Sequence, residues 1–156
     1  MKFAGRLNYC NYSWELPQRF KFRMRSEKQV LIVEDHRESS LWISAVLRSY
    51  GYQTMEAGDG TAGVRAARKE RPDAILLDIH LPAGSGFFVL ESLKKSETTR
   101  KIPVIVMTGD LDMQYEELRQ LGAAALLRKP MDLQEFIETL GTVIANYQNT
   151  QEMLRA

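Results

Sequence analysis

The chain is short of cysteine, of long apolar runs and of repeated pattern, and each shortage narrows what it can be. A single cysteine, Cys10, rules out an internal disulfide and fits a reducing compartment. No stretch approaches the roughly 20 apolar residues that a bilayer-spanning helix needs, and the first residues lack the apolar h-region of a secretory signal. The protein is therefore expected in the cytoplasm, with no membrane span. The absence of repeats and low-complexity segments excludes solenoids and fibrous arrays. A length of 156 residues suffices for one domain and little more.

Net charge is only +1, but it is unevenly spread. Residues 1–28 hold seven basic side chains and two acids; the rest hold 14 basic and 18 acidic. Within the leader, "RFKFRMR" from Arg19 to Arg25 alternates basic with apolar or aromatic residues. That chemistry could touch nucleic acid or an anionic surface. The simpler reading, a solvated and partly ordered extension, is favoured, and nucleic acid is not the expected partner.

From residue 29 the pattern becomes regular. Short apolar runs at 29–33, 52–57, 74–78, 103–108 and 124–128 read as strands. Between and after them, 39–51, 60–72 (stopping before Pro72), 86–97, 113–122 and 132–147 read as helices, with Gly51 and Gly122 as stop signals. Asp132 followed by Glu135 predicts an N-cap for the last helix. Leu140, Tyr147 and Leu154 are spaced by seven, so residues 148–156 form either a tail or a continuation of that helix. Five strands alternating with five helices imply an α/β fold: a doubly wound parallel sheet with helices on both faces. The continuous apolar strands suit a sheet covered on both sides.

In such a sheet all strands end on one edge, and ligands bind outside it where the strand order reverses. The first strand runs into Glu34 and Asp35, the third into Asp78, the fourth into Thr108, and the fifth into Arg128, Lys129 and Pro130. The flavodoxin-like order 2-1-3-4-5, taken over from folds of that kind rather than derived, sets the first and third strands side by side. Three carboxylates then meet. They coexist if Lys129 and a hard divalent cation offset them, and Mg²⁺ (or Mn²⁺ in its place) suits oxygen ligands. A carboxylate so held can attack phosphorus and form an acyl phosphate. The lysine would offset charge on the transferring group, and the Thr108 hydroxyl could bond one of its oxygens.

"LIVEDH", "AILLDIHLP", "PVIVMTGD" and "LLRKP" together resemble the four signatures of the receiver domain of two-component response regulators. The resemblance runs from Gln29 to Tyr147, in the family's order and spacing. It implies that Asp78 accepts the phosphoryl group and that Asp35, Asp78 and the backbone carbonyl of His80 hold Mg²⁺, with Glu34 acting through water. It makes Thr108 the switch hydroxyl and Lys129 the conserved-type lysine, with a cis peptide before Pro130. The implied phosphodonor is a histidine kinase or phosphotransfer protein. A downstream protein target would dock on the fourth and fifth helices and fifth strand, and the chain would be a monomer or a phosphorylation-linked dimer. His80 and Asp110 occupy positions that tune dephosphorylation in this family; each reads equally well as an exposed loop residue.

Leu126 departs from the family pattern, which often has an aromatic switch residue there, so an aromatic-rotamer readout is not available. Singly, each site residue has a plainer reading: Glu34 and Asp35 as helix caps, Asp78 as a turn residue, Thr108 as core edge, Lys129 in a surface pair. Their joint placement on four strand ends outweighs these. His36 reads as a cap or as solvent-facing, Gly84 and Gly86 as turn residues, and Trp42 as packing. The alternative function is a phosphorylation-independent receiver-fold interaction module. An aspartyl-nucleophile phosphatase would need a second acid where His80 stands, and a flavin phosphate would be repelled by "EDHRESS". The protein is thus read as a signalling module rather than an enzyme with a separate substrate.

Overall fold

A computed structural model describes residues 28–82 and 86–154, with residues 111–114 described as backbone only. The basic leader before Lys28, including Cys10, Trp14 and the Arg19–Arg25 tract, lies outside the described residues, as does Gly84. The elements are β1 (Gln29–Val33), α1 (Arg37–Ser49), β2 (Gln53–Ala57), α2 (Gly60–Glu70), β3 (Ala74–Asp78), α3 (Gly86–Lys95), β4 (Val104–Thr108), α4 (Leu111–Gln120), β5 (Ala125–Arg128) and α5 (Leu133–Met153). All strand pairs are parallel, in the order β2-β1-β3-β4-β5.

Strand geometry sends successive side chains to opposite faces, and this splits the core in two. Leu31, Val33, Ile75, Leu77, Val104 and Val106 face one side, with Ala67 of α2, Leu90 and Leu93 of α3 and Leu118 of α4. Val30, Ile32, Leu76, Ile105 and Met107 face the other, with Ile43 and Leu47 of α1 and Phe136, Leu140 and Ile144 of α5. Every residue of β3 and β4 is buried. This is why those segments read as unbroken apolar runs.

Helix boundaries depart from the expectations where no apolar residue marks them. α1 begins two residues early because Arg37 and Glu38 form its first turn without apolar periodicity. α2 stops at Glu70 because Arg71 adopts a left-handed backbone (φ 50), a conformation usually left to glycine. α5 continues to Met153, since no glycine or proline interrupts it after Gly141. Its N-cap is Asp132, which accepts a hydrogen bond from the Glu135 N–H at 2.9 Å.

Two readings need correction. Trp42 is not packed inside: it is 46% exposed, beside Leu41 at 50%. Gly86 is not a turn residue. It opens α3, donates its N–H to the Ile79 carbonyl at 2.9 Å and lies flat against the backbone leaving β3. A Cβ there would stand 2.5 Å from Ile79 Cα and 2.6 Å from the Asp78 carbonyl oxygen. Backbone cannot swing aside as a side chain can, so Gly86→Ala must push α3 off the sheet edge. Urea unfolding should show a loss of about 1–3 kcal/mol, the usual range for overpacking; wild-type stability would contradict this close approach.

Candidate functional site at the carboxyl edge of the sheet

Sheet register brings the chemistry together. Val33 pairs with Leu77, Asp78 with Met107 and Thr108 with Arg128, so the ends of four neighbouring strands come level. Glu34 and Asp35 follow β1, Asp78 and Thr108 close β3 and β4, and Lys129 follows β5. The edge thus gathers all five residues singled out from the sequence. The Lys129–Pro130 peptide is cis.

Lys129 Nζ donates to both Glu34 Oε2 at 2.8 Å and Asp78 Oδ2 at 2.7 Å. The Glu34 side chain is 0% exposed and that of Asp78 is 5% exposed. The second oxygen of each carboxylate is also engaged by backbone. His80 N–H donates to Asp78 Oδ1 at 2.9 Å, and His36 N–H to Glu34 Oε1 at 3.1 Å. Burial pushes the Asp78 carboxyl up, but the Lys129 hydrogen bond, the His80 N–H and the Lys129 charge outweigh it and hold it below the ordinary aspartate value. Burial likewise disfavours the Lys129 ammonium, and its bonds to Asp78 and Glu34 more than reverse that. In structural terms, part of what compensates a buried Asp78 is a lysine reaching from β5.

Asp35 differs from its neighbours. Its Oδ1 is buried and makes no hydrogen bond, although His36 Nδ1 lies 3.3 Å away. A buried carboxylate oxygen without a donor is costly unless something cationic meets it. The donor set here is oxygen-rich and anionic, so the residues fit a hard dication.

The remaining residues fall into place around this group. Neither Glu34 nor Asp35 caps α1; His36 holds the N-cap position, without a side-chain capping bond. Its ring is 76% exposed, yet Nδ1 stands 3.3 Å from Asp35 and 3.5 Å from Glu34. With those two acids it forms the metal-compatible cluster found among the described residues. Sequence reading gave His36 no part here, because only the turn into α1 brings the ring back over the acids. Thr108 is buried, and its Oγ1 accepts the Asp110 N–H at 3.1 Å. Asp110 and His80 are exposed, and His80 Nδ1 is 3.9 Å from Asp78 Oδ1. Leu126 is half-buried against the apolar cluster beneath α2, α3 and α4.

Strand order and an acidic cluster at the switch point place the chain in the CheY-like class of doubly wound folds. More narrowly, the chain belongs to the response regulator receiver domain family, whose model matches residues 30–141. It is 34% identical over 119 residues to protein PilH of Pseudomonas aeruginosa, covering 75% of this chain and 98% of that protein. It is 36% identical over 120 residues to the polar-differentiation response regulator DivK of Brucella anthropi, covering 76% and 98%. Among solved structures it resembles the receiver domain of a Pseudomonas aeruginosa sensor histidine kinase with a magnesium ion coordinated in its active site cleft. That match has a TM-score of 0.72 at 32% identity and covers 77% of this chain and 99% of the other. Chemotaxis response regulator CheY4 of Vibrio cholerae matches with a TM-score of 0.71 at 25% identity, covering 76% and 99%. No helix among the described residues is long and apolar enough to cross a membrane.

Linkage fixes the sign of one consequence. A carboxyl held below its unfolded value stabilises the fold at every pH above that unfolded value, and the contribution fades as pH falls through the folded value. Lys129 contributes fully below the ordinary 10.5 and loses its contribution only as pH rises through its raised folded value. Replacing it, Lys129→Met, should therefore raise the Asp78 pKa and shrink the part of the acid-side stability loss that Asp78 carries. Carboxyl-carbon NMR titration measures this directly; an unmoved Asp78 titration would show that the lysine does not set it.

Proposed function

We propose that this protein is a phosphorylation-switched receiver that takes a phosphoryl group onto Asp78 from a phosphohistidine donor, a histidine kinase or phosphotransfer protein. The observation that carries the reading is Lys129 Nζ held between Asp78 and Glu34 at 2.7 and 2.8 Å. In transfer, the donor's P–N bond breaks as a P–O bond forms to the Asp78 carboxylate, and the departing imidazole keeps the electron pair and takes a proton. Hydrolysis breaks the same P–O bond and restores Asp78. Lys129 is placed to follow the incoming negative charge, giving up part of its bond to Asp78. Thr108, closing the neighbouring strand, has a hydroxyl that can turn toward a phosphoryl oxygen. Asp35, Asp78 and the His80 carbonyl would hold Mg²⁺, with Glu34 reached through water. When bound, the cation offsets charge on the phosphoryl oxygens. His80 and Asp110 border the same opening, where the hydrolytic water must enter.

Acetyl phosphate with Mg²⁺ should add the mass of one phosphoryl group to the wild-type protein and none to Asp78→Asn, read by intact-mass spectrometry. A wild type without mass gain, and without Mg²⁺ binding in calorimetry, would leave the phosphorylation-independent interaction module instead.

A protein donor needs a place to rest. Helix α1 starts beside the acidic pair and presents Leu41 and Trp42, both about half exposed, on its outer side. Exposed large apolar side chains next to a reactive edge suit a protein contact. Trp42→Ala should slow transfer from a phosphorylated donor domain by about tenfold, the effect of losing one aromatic anchor, while acetyl phosphate labelling stays unchanged. Equal slowing of both reactions would assign Trp42 to the site's integrity and not to docking.

A further inference from the structure

The face of the sheet opposite α1 carries a second surface that the phosphoryl chemistry does not use. Between α2 and α3 lies a cleft of about 650 Å³, floored by Gly60, Val64 and Val89 and flanked by Phe88, Arg65 and Arg68. Its shape follows from sequence. Gly60 lets the start of α2 lie against the Val89 side chain, where any Cβ would collide with it. Phe87 turns inward to the core while Phe88 is left 67% exposed, the most exposed aromatic ring among the described residues. On α2, Arg65 and Arg68 stand one turn apart, both exposed, and neither pairs with an acid among the described residues. Lys69, the third cation at the cleft, is held by Glu70 at 3.0 Å. Among the described residues no carboxylate lines the cleft, although residues 29–156 as a whole carry more acids than bases.

An exposed phenyl ring beside two guanidinium groups without an acid partner among the described residues matches one kind of occupant: an apolar or aromatic side chain flanked by carboxylates. Arginine forks bind carboxylates in paired hydrogen bonds, and aromatic anchors in clefts dominate protein contacts. Two arginines are too few to track a nucleic acid backbone, which needs a stripe of cations. A concave cleft also fits a protruding side chain better than a flat lipid surface. We propose that the α2–α3 cleft is a docking site for an acidic segment of a partner protein that inserts an aromatic residue beside Phe88, separate from the phosphodonor surface on α1.

The test is an amide NMR titration of the full chain with a short synthetic peptide of aspartate and glutamate residues around one phenylalanine. A second peptide has serine in place of the phenylalanine. Saturable shifts centred on Thr61, Arg65, Arg68, Phe88 and Ser92 are expected. Binding should weaken by about tenfold in Phe88→Ala and with the serine peptide, as truncation of a central anchor does. It should weaken at least as much in the Arg65→Glu, Arg68→Glu double variant. All these side chains lie on the surface, and an otherwise unchanged amide spectrum certifies each variant's fold. Absence of saturable shifts, shifts centred on another face, or affinity that ignores both Phe88 and the peptide's phenylalanine would overturn the proposal. The last outcome would reduce the contact to unspecific charge attraction.

Discussion

One ammonium group organises the site. Lys129 Nζ sits between two carboxylates that are nearly or wholly withdrawn from water, and it arrives from the strand farthest from Glu34 on that side of the sheet. Glu34 and Asp78 without it would be two like charges at the ends of adjacent strands, each stripped of solvent. Desolvating three charges costs free energy that their attraction roughly repays, so a buried ion pair adds little to net stability. Stability alone is then a poor reason for the arrangement. An edge able to receive further negative charge is a better one, since the lysine is already aligned with one of the two oxygens of Asp78.

The sheet makes this possible by indirect means. Both faces are sealed by apolar clusters, which fixes the register, and the register sets four strand ends level. A slip of one residue would move Asp78 back among leucines and exchange the faces of β3. Gly86 matters for the same reason: it lets α3 start within contact of the backbone that leaves Asp78.

Much of this was legible in the residues. Four of the five strand ends announced themselves because the apolar run stops on a polar residue, β2 ending instead in Ala57, and in a parallel sheet all stops share one edge. Pairing by Lys129 was readable as compensation in general, but not that it would fall on Glu34 as well as Asp78, since that depends on the reach of one side chain. Trp42 was misplaced because helix periodicity places Ile43 and Leu47 inward but says nothing about an aromatic ring left outside. Arg71 hid the end of α2, because nothing in an arginine signals a left-handed backbone. The α2–α3 cleft left little mark: helix periodicity groups Phe87 with Leu90 and Leu93 on the core face, as the structure has it, but does not say that Phe88 would stand exposed beside α2.

Leu126 bears on how a change at Asp78 could travel. An aromatic ring able to swing inward would have offered two discrete packings; a half-buried leucine already resting on the apolar cluster offers no such pair. The hydroxyl of Thr108 is the better carrier. It accepts the N–H of Asp110, which occupies the N-cap position of α4. If that hydroxyl turns toward a phosphoryl oxygen on Asp78, its geometry toward the Asp110 N–H changes in the same step, and the first turn of α4 loses an anchor. A bond to the start of one helix is a local event with a defined direction. The shift at the sheet edge would be read on the α4 side of the molecule first, with the cleft between α2 and α3 on the same face of the sheet and α1 on the other.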